Sequence, residues 1–299
     1  MSVQFSIIDD IKNSLRYGNT TIRLIWINVG VFVVLGLIRL LGFLFGINTP
    51  FQKIVEGLAL PSSLKDLMWQ PWSLITHLFL HIDLWHIFMN MLVLYWFGNI
   101  LSDFVTQRRI LPVYILGGLA GAVAVLLSYA LFPVFRNSDA IAYGASASVM
   151  AILTCMAAIS PNYTLHLILL GRIPIKFLAL ALFIIDLISI PQSNAGGHIA
   201  HIGGAIFGIV YARQWQRGDA WGKTFNRLTD KVIQLIDKNK EPAKQSYQQP
   251  KNTTRSNSSP TLSEQERIDQ ILDKIAQTGY DSLTQEEKTF LFKVSFPNF

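Results

Sequence analysis

The chain has 299 residues, of which 51% are hydrophobic and only 15% are charged, with a formal charge of +6 at pH 7. A soluble domain so composed would expose too much apolar surface to stay monomeric, so an apolar body with a polar tail is expected. Nucleic-acid binding is also disfavoured: Lys and Arg fall mainly between apolar segments and in the tail, where membrane topology and anionic headgroups account for them.

In chain order, residues 1–21 carry Asp9, Asp10, Lys12 and Arg16, and no small-residue cleavage site precedes the first apolar run. They read as a polar N-terminal segment rather than a cleavable signal. A spanning helix needs roughly 20 mostly apolar residues. Runs at about 22–45, 82–102, 110–132, 146–160, 174–190 and 198–213 are the candidate spans, which predicts an all-α polytopic membrane protein with a six-helix body over 22–217. The fourth and sixth runs are short by this rule, which suits helices enclosed by other helices. Arg39 lies near one end of the first run and can snorkel to the headgroups. The single cysteine, Cys155, permits no intrachain disulfide.

Residues 46–73 mix Phe51, Leu58, Leu60, Leu67, Met68 and Trp69 with charges and are expected to lie in the membrane interface. With a cytoplasmic N-terminus, Lys12, Arg16, Arg23, Arg108, Arg109, Arg172, Lys176, Arg213 and Arg217 lie inside, against Lys53, Lys65 and Arg136 outside. The positive-inside bias therefore predicts that both termini are cytoplasmic. By elimination of targeting signals, the expected location is a bacterial plasma membrane.

After the body, residues 218–262 read as a basic helical and then flexible linker, and 263–299 as a small helical hairpin. Ser263 with Glu266, and Thr284 with Glu287, match capping boxes, and Gly279 sits where the first helix needs a C-terminal glycine. Ile268, Ile271, Leu272 and Ile275 form a stripe for Phe290, Leu291 and Phe292 to cover. An unidentified partner for this tail is left open.

Three polar clusters interrupt the apolar runs: His86 with Asn90, Gly144 to Ser148, and His198 to Gly204. In the expected topology all three lie near the outer ends of their spans, at depths that agree within roughly 5 Å at 1.5 Å per residue. Polar groups inside a bundle are costly and are functional candidates by default. Ser146 opens its helix beside unpaired backbone N–H groups that can stabilise an anion. Taken alone, such a small-residue run more often lets two membrane helices touch. His201 has the chemistry of a general base, although a histidine bonding a loop carbonyl explains it equally. Gly203, Gly204 and Gly208 leave its helix nearly bare on one side. His86 and Asn90, four apart, share a face and can donate hydrogen bonds to an oxyanion, or simply to a neighbouring helix. His198 competes with His201 as base, and Asp186 carries no catalytic assignment. Metal binding by His77, His81, His86, His198 and His201 is disfavoured, since no His-Glu-x-x-His motif exists and only Asp83 adjoins them. No cofactor is expected.

Together, Gly144-Ala145-Ser146-Ala147, His86-Ile87-Phe88-Met89-Asn90 and Ala200-His201-Ile202-Gly203-Gly204 resemble the motifs of the rhomboid intramembrane serine proteases, in the right order and in the expected spans. The resemblance covers about residues 20–215 and is carried by the ordered set rather than by any one motif. It implies Ser146 as nucleophile and His201 as general base, in a dyad without a carboxylate. It further implies His86, Asn90 and the Ser146 N–H as the oxyanion hole, and a transmembrane helix of another protein as substrate. Ala147 stands where the family often has Gly, Met150 where many members place a Tyr that stacks on the histidine, and Trp69-Gln70 where a Trp-Arg pair is common.

Overall fold

The structure, a computed structural model, describes residues 18–47, 49–136, 138–167, 171–236, 264–278 and 282–295. The chain divides into two compact units, Met1–Glu241 and Pro242–Phe299.

In the first unit, α1 (Thr20–Leu44) starts at Asn19, whose side chain accepts from the Ile22 N–H. The connection after it folds into α2 (Thr49–Leu58), β1 (Leu60–Pro61), α3 (Leu64–Trp69) and α4 (Ser73–Thr76). Met68, Trp69 and Trp72 are exposed there. Arg39 lies over the Phe51 ring at 5.7 Å, so its charge leaves α1 toward α2. α5 (Leu84–Phe104) is capped by Asp83, which accepts from the His86 N–H at 2.8 Å. α6 (Ile110–Leu131), β2 (Ile141–Ala142), α7 (Ser146–Ile159), β3 (Thr164–Leu167), β4 (Gly171–Pro174), α8 (Ile175–Ser189), α9 (Ala195–Gln216) and α10 (Ala220–Ile236) follow.

Among the described residues, α1, α5, α6 with its preceding turn, and α9 are long and apolar enough to cross a membrane. The protein is therefore mostly helical and polytopic. α7 and α8, of 14 and 15 residues, are shorter. The sixth run differs from expectation: α9 begins at Ala195 and extends over 22 residues. Its start is set by Asn194, which adopts φ 47° and accepts from the Gly197 N–H, a cap that the glycines and histidine of the first turn conceal from a hydropathy count.

The core forms where α6, α7 and α9 meet. A Cβ on Gly204 would strike the Ala147 carbonyl of α7, and one on Gly208 would strike the Ala151 carbonyl and Thr154. The Thr154 hydroxyl hydrogen-bonds the Ala205 carbonyl at 2.9 Å, tying the two helices through this bare seam. On the other side, Gly117 and Gly121 of α6 admit the methyls of Ala151 and Ala147. With glycine at the crossings the backbones approach closely enough for dispersion and polar contacts to replace the hydrophobic drive that lipid does not supply. α1 joins this core through buried Asn28, whose amide donates to the Tyr114 hydroxyl at 3.1 Å, which in turn donates to the Leu78 carbonyl at 3.0 Å.

Two short pairings brace the site. β1 and β2 pair antiparallel, Leu60 opposite Ala142 and Pro61 opposite Ile141, and the Ser62 N–H extends the ladder to the Ala140 carbonyl at 2.9 Å. The connection between α1 and α5 thus holds the strand that leads into Ser146. β3 and β4 form a second antiparallel pair between α7 and α8.

The second unit contains α11 (Glu264–Thr278) and α12 (Gln285–Ser295). Thr284 and Glu287 make the reciprocal bonds of a capping box, at 2.7 and 3.3 Å. Ile271 and Leu283 are buried, Lys274 pairs with Glu287 at 3.0 Å, and Arg267 lies over the Phe290 ring at 4.8 Å. The expected Ser263–Glu266 box, Gly279 and the Phe292 side chain lie outside the described residues.

Candidate active site

Ser146, His201 and His86 line one cavity of about 350 Å³, together with His77, Tyr143 and Gly144. Three elements bring them there. Ser146 is the first residue of α7, where the backbone N–H groups have no intrahelical partners. Gly144 has φ +116° and packs against the His86 ring, where a Cβ would come within 2.7 Å of the imidazole. Only glycine meets both demands, so this residue sets the turn into the helix and the separation between Ser146 and His86. The Gly144 N–H donates to the His77 carbonyl at 2.9 Å, which fixes the turn to the segment before α5. Ser148, the other hydroxyl of the run, is fully buried beside Gly118 and Leu78 and lies away from the cavity.

Asn90 is positioned differently from His86. It is buried one turn along α5, and its amide nitrogen contacts the His86 carbonyl at 3.0 Å and His81 Nε2 at 3.3 Å. Both of its N–H groups are therefore engaged, and the expected oxyanion contact requires one of these bonds to open.

His81 was not distinguished from the other histidines by sequence pattern. Its Nε2 also accepts from the Ala145 N–H at 3.3 Å, so one buried ring joins Asn90 to the residue before the candidate nucleophile. His77 Nδ1 donates to the Ser73 carbonyl at 2.6 Å. Both rings precede the spanning helix α5, and burial pushes each down to about 4, reinforced at His81 by neighbouring His86. They are neutral at physiological pH. The signal for both in the sequence was only the density of histidines around residue 80.

On the far side of His201 lies Asp186 of α8. Its Oδ1 is 2.9 Å from His201 Nδ1 and 2.8 Å from His198 Nδ1, and the carboxylate is buried. The ligand atoms of these three residues lie within 4.8 Å of one another, so the set could also hold a divalent ion. Two nitrogens aimed at one oxygen at N–H···O length is hydrogen-bond geometry.

Residues 68–215 match the Rhomboid domain, and residues 257–295 match a family of unknown function. The chain belongs to the rhomboid family. It is 32% identical to RHOMBOID-like protein 12, mitochondrial, of Arabidopsis thaliana over 47% of this chain and 46% of that protein. It is 27% identical to Rhomboid protein 1, mitochondrial, of Saccharomyces cerevisiae over 49% and 42%. With human presenilin-associated rhomboid-like protein, mitochondrial, the identity is 29% over 44% and 35%. The chain thus spans between a third and a half of the length of these relatives. All three are mitochondrial, and the expectation of a bacterial plasma membrane finds no support among them.

Proposed function

We propose that this integral membrane protein is an intramembrane serine endopeptidase with a six-helix rhomboid body, in which α7 and α8 complete the four longer spans. Its substrates are proposed to be transmembrane helices of other membrane proteins, and its membrane orientation the one with both termini cytoplasmic. The observation that carries the proposal is the shared cavity of Ser146, His201 and His86, with Ser146 at a helix N-terminus.

The chemistry follows from these positions. Ser146 Oγ attacks the scissile carbonyl carbon, and its proton passes to His201 Nε2 as the Oγ–C bond forms. The carbonyl oxygen becomes an oxyanion, received by the Ser146 N–H and the His86 ring. Asn90 joins them on releasing its contact with His81. His201 then gives the Nε2 proton to the leaving amine as the C–N bond breaks. Water repeats the sequence on the acyl-enzyme, releasing the acid and restoring the serine hydroxyl. Ser146 and His201 share no hydrogen bond among the described residues, and such contacts commonly tighten only with substrate bound.

Cleavage of single-spanning substrates in liposomes tests this. Wild type is expected to cut, and Ser146→Ala to be inert while keeping its melting temperature. A wild type inert toward a broad substrate panel, yet still retaining those membrane proteins, would make the protein a silent binder of membrane clients instead.

A further inference from the structure

We propose that Asp186 is a positioning residue for His201, so that the site works as a serine–histidine–aspartate arrangement rather than a dyad. The inference rests on the protease proposal above and adds to it the group that prepares the base.

A carboxylate oxygen can only accept hydrogen bonds, so a ring nitrogen 2.9 Å away must carry the hydrogen. His201 Nδ1 is therefore the protonated nitrogen. In the neutral ring this leaves Nε2 as a lone-pair acceptor, the form a general base needs to take the serine proton. The other tautomer would present an N–H to the serine and could accept nothing. When Nε2 gains its proton the ring becomes cationic beside an anion already in place, and that charge pair forms with no rearrangement. Asp186 keeps its own charge throughout, while the transferred proton stays on Nε2 until the leaving group takes it.

The surroundings fit a fixed role. α8 buries only Ile175, Ala179 and Asp186, so its one carboxylate is among the few side chains that it turns inward. An ionised group placed in an apolar span is costly unless partnered, and here both partners come from the first two turns of α9. His198 donates to the same Oδ1 at 2.8 Å. It holds the oxygen in place and is not itself part of the cavity shared by Ser146 and His201.

The test uses the full chain in detergent and a fluorophosphonate as probe. Ser146 Oγ bonds to phosphorus as fluoride leaves, with the serine proton passing to His201 Nε2, so the labelling rate reports on the base without a known substrate. Asp186→Asn is expected to lower the maximal labelling rate by roughly 10²- to 10⁴-fold, because an amide can turn its carbonyl or its N–H to the ring and no longer dictates the tautomer. The probe concentration at half-maximal rate and the melting temperature should stay unchanged. Asp186→Glu, which keeps the charge, should recover part of the rate, and His198→Ala should cost less than Asp186→Asn. Labelling of Asp186→Asn at the wild-type rate overturns the assignment. If Asp186→Asn does not fold, a folded Asp186→Glu no faster than a Ser146→Ala control overturns it instead. A wild type that labels no faster than Ser146→Ala overturns the protease proposal, and this assignment with it.

Discussion

α7 and α8 are of nearly equal length and stand in sharp contrast. α7 buries ten consecutive residues, Ala147 to Met156, and its position is dictated by packing against bare glycine seams on two neighbours. α8 exposes Phe177, Leu180, Ile184, Ile185 and Ile188, a surface suited to lipid, and buries little beyond one carboxylate. One helix holds Ser146 by enclosing the backbone that follows it. The other contributes a single carboxylate, which accepts from His198 and His201 of α9. Enclosure fixes Ser146 in place, whereas the orientation of His201 depends on a hydrogen bond that packing alone does not enforce.

The contrast can be broken first at the seam. Gly204→Val places methyl groups into the Ala147 carbonyl and should cost about 3 kcal/mol or more, with no folded protein recovered by size-exclusion chromatography. A well-folded variant would mean that α7 and α9 are not held by close approach. Asn90→Ala should next slow cleavage by roughly 10- to 1000-fold if its amide reaches the oxyanion. An unchanged turnover number would confine Asn90 to its contacts with His81 and the His86 carbonyl.

A smaller effect is expected from pH. His77 and His81 are held at about 4, below the ordinary 6.5 of an unfolded chain, so the unfolded state binds more protons between those values. Stability from these rings is complete above pH 6.5 and is lost as pH falls toward 4. The melting temperature should accordingly be lower at pH 5 than at pH 7.5, and an increase on acidification would contradict the buried, neutral assignment. The smallest effect should come from deleting residues 240–299, which removes the whole second unit; activity on a model substrate in detergent should persist. Complete inactivity of a folded truncation would show that the tail takes part in catalysis.

The spans were legible because apolar runs of helix length survive in any context, and α1, α5, α6 and α7 begin within about two residues of the expected starts. The early start of α9 was hidden because its cap is a single Asn before two glycines. The cavity residues were legible as small and polar interruptions of apolar runs. Asp186 gave the same kind of signal, a carboxylate in an apolar span, but nothing in its spacing pointed to partners 12 and 15 residues away across a turn. His81 was illegible for a related reason: its bonds to Asn90 and the Ala145 N–H join positions 9 and 64 residues apart. The pairing of β1 with β2 spans two residues on each strand, too short for any alternation to register. Met150, at the position where many rhomboids place a ring-stacking tyrosine, is buried in the core, and the hydrogen bond that orients His201 comes from α8.

The most direct measurement is to map the site of fluorophosphonate attachment by mass spectrometry in wild type, Ser146→Ala and Ser148→Ala. An activated serine at the mouth of α7 predicts one adduct on Ser146, lost in Ser146→Ala and kept in Ser148→Ala. An adduct lost only in Ser148→Ala would contradict the burial of that hydroxyl and the assignment of the nucleophile together, and no adduct in any of the three would contradict the protease proposal itself.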